Sequence, residues 1–547
     1  LVPSSSSFDP IDAEDAEYYH RADTRANNMS LAQAAGVEDP WNGMRKYLES
    51  GGFFHAAGCR WDISRHLGSP GTNLVADETG HGRSALEGWD ERFVWNAHLL
   101  QPLLVFRQNL PDAMRDELDA HALLLPVIQG YVGSVPLGPG SWSPQEGKLS
   151  GLALISRLSC KRAGARFRTR GIDDDGNVAN FVETEVILST GGTIVSYTQI
   201  RGSVPLFWQQ PQQGFGTLQQ KVEITRPPQA TQPAFDKHFL DLLEHYGAVH
   251  AMNLLGQKDA ESMLSNAYSD RFRALKASLA DDDSADSIAR LTYTPYDFHS
   301  AVRIGGHEAV RTDLNAMGDI ANSVDAFGYT AVDLANGEPI ATQHGTFRTN
   351  CLDCLDRTNY VQEVLSTIAL RRFLSSQGSA LLNSPTLWSA HRELWADNGD
   401  RLSKTYAGTG ALNTSATRSG RKTFAGLISD ATKSVGRAYI NNFLDKDKQA
   451  AIDLLLGLMA GQRPVVLFDP VSDSVQSALL ARRSEYSTPR NLKFFSGTWN
   501  VNGKLPDDSL DGWLFPGDLT ADIYSIAFQE IVELTPQQIV QPDPAKK

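Results

Sequence analysis

The stretch from Gln343 to Phe373 constrains the fold of this chain more than any other. His344 to Asn350 reads as a strand and Cys351 to Arg357 as a tight loop. Thr358 or Asn359 then caps a helix whose buried face is marked by Val361, Val364, Leu365 and Ile368. A strand that turns through a tight loop into a helix is an α/β element. It brings backbone N–H groups and a helix N-terminus to one point, which is a ready anion site.

Five residues separate Cys351 from Arg357. That spacing lets a loop curl around a tetrahedral phosphate, with a sulfur at its base and a guanidinium at its rim. The nucleophile is the thiolate, and a free cysteine with a pKa of about 8.5 is mostly protonated at neutral pH. A helix N-terminus and a nearby arginine both lower that value. The fork of Arg357 also suits two phosphoryl oxygens and the charge of the transition state. The expected intermediate is a phospho-cysteine, hydrolysed by water without a metal. Cys-Leu-Asp occurs twice, at 351–353 and 354–356, but only two residues lie between Cys354 and Arg357. Cys351 is therefore the expected nucleophile. Asp353 and Asp356 are the candidates to protonate the leaving oxygen, with Asp353 preferred. Asn350, Leu352, Cys354, Leu355, Asp356 and Thr358 are expected to surround the phosphate. Arg348, just before the loop, either holds a second phosphate or pairs with a neighbouring carboxylate.

Cys351 and Cys354 also form a C-x-x-C pair, the signature of zinc or redox work. Zinc needs a second ligand pair, and the other two of the four cysteines, Cys59 and Cys160, are isolated, with His344 a single extra candidate. No thioredoxin-like context is evident, so the phosphatase reading is preferred. Cys59 and Cys160 read as inert apolar residues, and so few cysteines suit a reducing, cytosolic setting.

At 547 residues the chain is too long for one core and predicts about three units. Hydrophobic residues at 41% and charged residues at 21% are the balance of a globular protein. No run approaches the ~18 apolar residues that span a bilayer. The net charge of -14 argues against nucleic-acid binding and general membrane adhesion. A lipid substrate then needs a local basic patch. Lys161, Arg162, Arg166, Arg168 and Arg170 supply one, to be weighed against a solvated strand face balanced by Asp173 to Asp175. Those three aspartates, followed by Gly176 and Asn177, are hairpin-turn chemistry rather than a cation site.

Along the chain, 1–39 is polar and reads as a loose surface segment, without a signal pattern. Residues 152 to 188 read as strands joined by turns, and Ile194 to Ile200 as a further strand. Phe235 to Leu275 reads as helical, from Phe239, Leu242, Leu243 and Tyr246 at one-face spacing. Tyr439 to Leu458 is another helical run. Pro464 to Arg490 reads as a linker with one short helix. From Lys493 two strands follow, Phe494 to Asn500 and Ile523 to Phe528, too few for a core of their own. The predicted division is 1–105, 106–462, a linker over 463–492, and 493–547. With no initial Met, the chain reads as a piece of a longer protein.

The segment Arg348 to Asn359 resembles the active-site signature of the Sac-domain phosphoinositide phosphatases. So do Phe93-Val94-Trp95-Asn96, Leu125-Pro126-Val127-Ile128-Gln129-Gly130, Ile155-Ser156-Arg157, Ile200 to Trp208, Trp395 to Asp400, and the run Arg162 to Glu185. The resemblance covers roughly residues 8 to 460. It implies a Sac catalytic domain with a mixed sheet and a Cys-x5-Arg phosphate loop, preceded by a partial N-terminal Sac subdomain. Sac proteins usually carry more N-terminal sheet before the part matching Asp9. The tail, Gly497 to Gly503 with Phe528-Gln529-Glu530, resembles the first motifs of the inositol polyphosphate 5-phosphatases, magnesium enzymes of an endonuclease/exonuclease/phosphatase-type α/β sandwich. There, Asn500 and Glu530 match metal-site positions, while the later motifs are missing. The order of the two is that of the synaptojanin family.

This resemblance implies removal of the 4- or 3-phosphate from phosphatidylinositol phosphates, with no cofactor in the Sac part and Mg2+ in a complete 5-phosphatase. The implied partners are phosphoinositide lipids at a cytosolic membrane surface, with peripheral attachment, and endocytic or trafficking adaptors through parts absent here. The rival readings are a protein-tyrosine or dual-specificity phosphatase and a non-catalytic phosphoinositide-binding module.

Overall fold

The structure, a computed structural model, describes residues 40–57, 61–69, 86, 88–108, 110, 112–137, 150–166, 168–190, 192–210, 222–257, 259–281, 289–411, 445–458, 478–488, 490–504, 509–518 and 520–531. The loose segment expected at 1–39, Cys59 and most of the 463–492 linker lie outside them. The chain forms two compact units, Leu1–Val466 and Leu467–Lys547.

In the first unit, ten strands among the described residues make one mixed sheet. They are Phe53–His55 (β1), Val127–Pro136 (β2), Gly151–Leu158 (β3), Val182–Thr190 (β4), Thr193–Arg201 (β5), Ala248–Asn253 (β6), Leu291–Pro295 (β7), Thr330–Asp333 (β8), Pro339–Ala341 (β9) and Gly345–Asn350 (β10). The order is β1-β2-β3-β4-β5-β10-β6-β7, with β8 beside β5 and β9. From β1 to β5 every pairing is antiparallel. From β5 through β10 and β6 to β7 every pairing is parallel. The fold is thus α/β with a mixed sheet.

Parallel strands need helices on both faces. Pro228–Tyr246 (α1) and Asp259–Asp281 (α2) cover one face. There Phe235, Phe239 and Leu242 share a core with Tyr268, Phe272, Val249, Ala251 and Leu291. Phe298–Ala316 (α3) and Asp356–Ser376 (α4) cover the other, where Val310, Val361, Val364 and Leu365 pack with Met252 and Phe347. Along β6, Val249 and Ala251 face one layer and Met252 the other, the period of two that a strand imposes. Pro385–Ala407 (α5) packs Leu387, Trp388, Leu394 and Trp395 against Leu152, Leu154 and Val186 of the antiparallel half.

The helical stretch expected from Phe235 to Leu275 is two helices split by β6. Being buried on both faces, β6 shows no apolar–polar alternation to betray it. Gly247, at φ 79°, ends α1 and turns the chain into that strand. The turn at Asp173 to Asn177 forms as expected: Asp173 N–H donates to the Asn177 carbonyl at 2.9 Å, and Asp173 Oδ1 accepts from the N–H groups of Asp175 and Asn177. The basic stretch is not a strand face, since 159–181 is an irregular excursion between β3 and β4. Of the helix expected over Tyr439 to Leu458, the described part runs Asp445–Leu455.

Among its described residues the second unit holds two parallel strands, Phe494–Asn500 (β11) and Ile523–Gln529 (β12), in register from Phe494↔Ile523 to Asn500↔Gln529. Trp513 meets Phe495, Trp499 and Phe528 edge-on or tilted. None of the strand residues is fully buried.

Candidate active site

Because β5, β10, β6 and β7 run parallel, their carboxyl ends reach one edge of the sheet, where α/β folds place their ligands. Cys351 follows β10 there. The helix α4 begins at Asp356 with Leu355 as its N-cap, ahead of both caps expected, Thr358 and Asn359. Only 351–355 is loop, and Arg357 lies in the first helical turn. Thr358 does not cap; its hydroxyl donates back to the Leu355 carbonyl at 3.2 Å.

The two loop cysteines are buried and interlocked. Cys354 N–H donates to Cys351 Sγ at 3.1 Å, and Cys354 Sγ lies 2.9 Å from the Gly202 carbonyl, to which its S–H donates. The interlock holds Cys354 at φ 54°, a left-handed conformation that costs a side-chain-bearing residue energy. Burial pushes the Cys351 thiol up, but the hydrogen bond with Cys354 and the positive charge of Arg357 outweigh it, and the net shift is downward. Cys354 moves the other way, raised by burial and by its neighbouring sulfur. Of the two sulfurs, Cys351 is therefore the one favoured as thiolate. Cys160 by contrast has its thiol pushed up to about 11 by burial.

Arg357 is held by three acceptors. Its Nη1 donates to Glu261 Oε2 at 2.9 Å and to the Leu254 carbonyl at 3.2 Å, and its Nη2 to Glu261 Oε1 at 2.7 Å. Glu261 Oε2 also accepts Gly256 N–H at 2.7 Å. Burial alone raises the Glu261 carboxyl, but the hydrogen bond and charge of Arg357 bring it below its ordinary value. Exposed His299 stands 4.0 Å from Glu261.

Asp353 is clamped by the excursion 159–181. Arg166 Nε donates to it at 3.0 Å, and Arg170 Nη1 lies 2.7 Å away. Arg170 also donates to the Leu352 carbonyl at 3.0 Å, and Asn180 Nδ2 to the carbonyl of Asp353 at 3.0 Å. Burial works to raise the Asp353 carboxyl, yet the two arginines hold it well below the usual carboxylate range. Two of the five basic residues thus turn inward onto the loop rather than outward to solvent. Lys161 pairs with Glu91 at 3.4 Å, and Arg168 is exposed.

Leu352 and Leu355 are buried in the loop, and Asp356 opens α4. Asn350 donates from its amide to Asn253 Oδ1 at 2.7 Å, tying the ends of β10 and β6 together. Arg348 is not brought to the loop surface: it is fully buried, donates to the Ser203 carbonyl at 2.5 Å and to His238 Nε2 at 3.4 Å, and makes no ion pair with a carboxylate among the described residues. Glu261, Arg166, Arg170 and Asn180 complete the site, and sequence reasoning gave none of them these roles. In the second unit, Asn500 and Glu530 lie at the carboxyl ends of the two paired strands. Asn500 Oδ1 accepts Asn502 N–H at 3.0 Å. No cluster of three or more potential metal ligands occurs among the described residues. Asn500 and Glu530 carry side-chain oxygens of the kind magnesium takes, too few by themselves to complete its coordination.

Two family profiles match. The SacI homology domain matches residues 9–303, and Endonuclease/Exonuclease/phosphatase family 2 matches residues 497–547. The cysteine loop lies beyond the first match but within the longer alignments to whole proteins. The chain is 39% identical to inositol-1,4,5-trisphosphate 5-phosphatase 1 of Schizosaccharomyces pombe, over 93% of its length and 44% of the relative. It is 36% identical to polyphosphatidylinositol phosphatase INP53 of Saccharomyces cerevisiae, over 99% and 47%. Mouse synaptojanin-1 is 33% identical over 94% and 32%. The chain thus spans less than half the length of these relatives.

Proposed function

This chain belongs to the SacI homology domain family, and from that premise we propose that it removes a phosphate from phosphatidylinositol phosphates, preferring the 4- or 3-phosphate, through Cys351. The observation that carries this reading is a buried Cys351 sulfur that accepts a backbone N–H and is drawn toward its thiolate by Arg357, at the carboxyl edge of the parallel strands.

In this reading Cys351 Sγ attacks phosphorus, forming the S–P bond as the P–O bond to the inositol breaks. Arg357 and the N–H groups between Cys351 and Asp356, at the N-terminus of α4, hold the phosphoryl oxygens and are best matched to them in the transition state. Water then attacks phosphorus and releases inorganic phosphate, and the Cys351 thiolate is restored. Asp353 is the proton donor of the scheme, and while Arg166 and Arg170 hold it ionised it has no proton to give. Donation requires those arginines to turn toward the substrate's own phosphates, which lets the Asp353 carboxyl rise. Asn500 and Glu530 would be two of the oxygen ligands for the magnesium ion of a 5-phosphatase. That ion supplies charge neutralisation and water activation when bound.

The lipid substrate follows from the family and from the relatives' names. No helix among the described residues is long and apolar enough to cross a membrane, and peripheral contact with a membrane surface fits the substrate. The test is phosphate release from short-chain phosphatidylinositol 4-phosphate, with and without chelator, for the wild type and Cys351→Ser. Chelator-resistant turnover that disappears in the variant is expected. Lipid binding without turnover by folded wild-type protein overturns the reading in favour of a binding module.

A further inference from the structure

We propose that Glu261 positions Arg357 for phosphoryl transfer, by holding the far end of its guanidinium so that the Nε edge is left to the phosphate; this rests on the reading of Cys351 and Arg357 given above. An arginine has five N–H groups in a rigid plane. Glu261 takes one from Nη1 and one from Nη2, and the Leu254 carbonyl takes the second from Nη1. Two remain, the Nε–H and the second Nη2–H, and these lie side by side on one edge. A pair of parallel N–H groups is what two phosphoryl oxygens require.

The clamp is itself fixed. Glu261 lies in the first turn of α2, where the helix dipole favours a carboxylate. Its Oε2 is shared between Arg357 and the N–H of Gly256, in the loop that follows β6. The Leu254 carbonyl belongs to the same loop. Arg357 is thus aimed by the first turn of α2 and the loop after β6, not by its own helix. Glu261 touches no reacting atom; it acts through Arg357.

The experiment compares Glu261→Gln, Glu261→Ala and Arg357→Lys, singly and combined, with Cys351→Ser alongside. The readouts are turnover of short-chain phosphatidylinositol 4-phosphate and inhibition by tungstate, an inert tetrahedral oxyanion. Glu261→Ala is expected to lower kcat/KM about a hundredfold, mainly in kcat, because a misplaced group near the chemistry loses about that much. Glu261→Gln keeps one acceptor oxygen and is expected to lose about tenfold. Tungstate should bind more weakly in both. The decisive reading is non-additivity: on the Arg357→Lys background either Glu261 change should cost less than about threefold, because a residue acting only through Arg357 has nothing left to position. Full additive losses, or a near-isosteric Glu261→Gln that folds and turns over as wild type, overturn the proposal. Should Glu261→Ala fail to fold, the Glu261→Gln cycle decides alone. Turnover persisting in Cys351→Ser instead removes the underlying phosphatase reading, which separates the two failures.

Discussion

At Cys351 burial and charge act on one sulfur in opposite directions. Burial disfavours the thiolate, whereas Arg357 and the hydrogen bond with Cys354 favour it, and the favourable pair wins. The thiolate is therefore populated below the ordinary thiol range of about 8.5. Alkylation of Cys351 by iodoacetamide should accelerate with pH and level off well under that value. Replacing Arg357 by Gln removes the charge but not the burial, so the midpoint should move upward by at least about one pH unit, the equivalent of about 1.4 kcal/mol. Mass spectrometry of the alkylated peptide, quenched at intervals across pH 5 to 10, checks both. An unmoved midpoint in Arg357→Gln would show that Arg357 does not govern the nucleophile. Cys354 cannot substitute in this role, because its own thiol is raised and its S–H faces the Gly202 carbonyl.

Among the elements, the excursion 159–181 and the loop 351–355 depend on each other. Asp353 neutralises Arg166 and Arg170, which are nearly buried, while its own side chain is 20% exposed. Removing the carboxylate leaves two buried cations without it, and Asp353→Ala should cost about 3 kcal/mol of stability, as broken buried pairs do. Because the folded Asp353 carboxyl is depressed, its contribution is complete above the unfolded value of about 3.9 and is lost as pH falls through the folded one. Urea midpoints at pH 7 should thus separate wild type from Asp353→Ala, and the gap should narrow toward pH 2. A gap that widens in acid would contradict the clamp. This dependence also explains what the sequence reveals. The strand, loop and helix from Gly345 to Ser376 and the Asp173 turn are contiguous, so local pattern suffices to find them. Glu261 meets Arg357 across 96 positions and Arg166 meets Asp353 across 187, and no periodicity links them. The same limit hid β6, whose two buried faces imitate the helices on either side.

For the molecule as a whole, what separates the described residues of the two units is burial, since the buried side chains all lie in the first. In the first unit, fully buried Arg157 shows how tightly distant segments are joined: it donates to the carbonyls of Ile63 and Arg65, each at 2.7 Å, and to Glu183 and Glu185 at 3.0 and 2.8 Å. Such a guanidinium, carried by a strand of the ten-stranded sheet and held by four hydrogen bonds, belongs to a domain that unfolds cooperatively. Among the described residues of the second unit no side chain is buried. Its strands β11 and β12 pair over seven residues, yet Phe494 is 61% exposed and Phe528 39%. Two parallel strands without helices on both faces leave apolar surface in water and cannot offset the chain entropy of ordering. Residues 467–547 produced separately should therefore show no sigmoidal thermal transition by circular dichroism, and their amides should exchange within minutes. The full chain should still show a cooperative transition, from residues 1–466. A cooperative melt of 467–547 alone, or slow exchange along β11, would mean that Trp513 and the aromatic residues around it form a sufficient core after all.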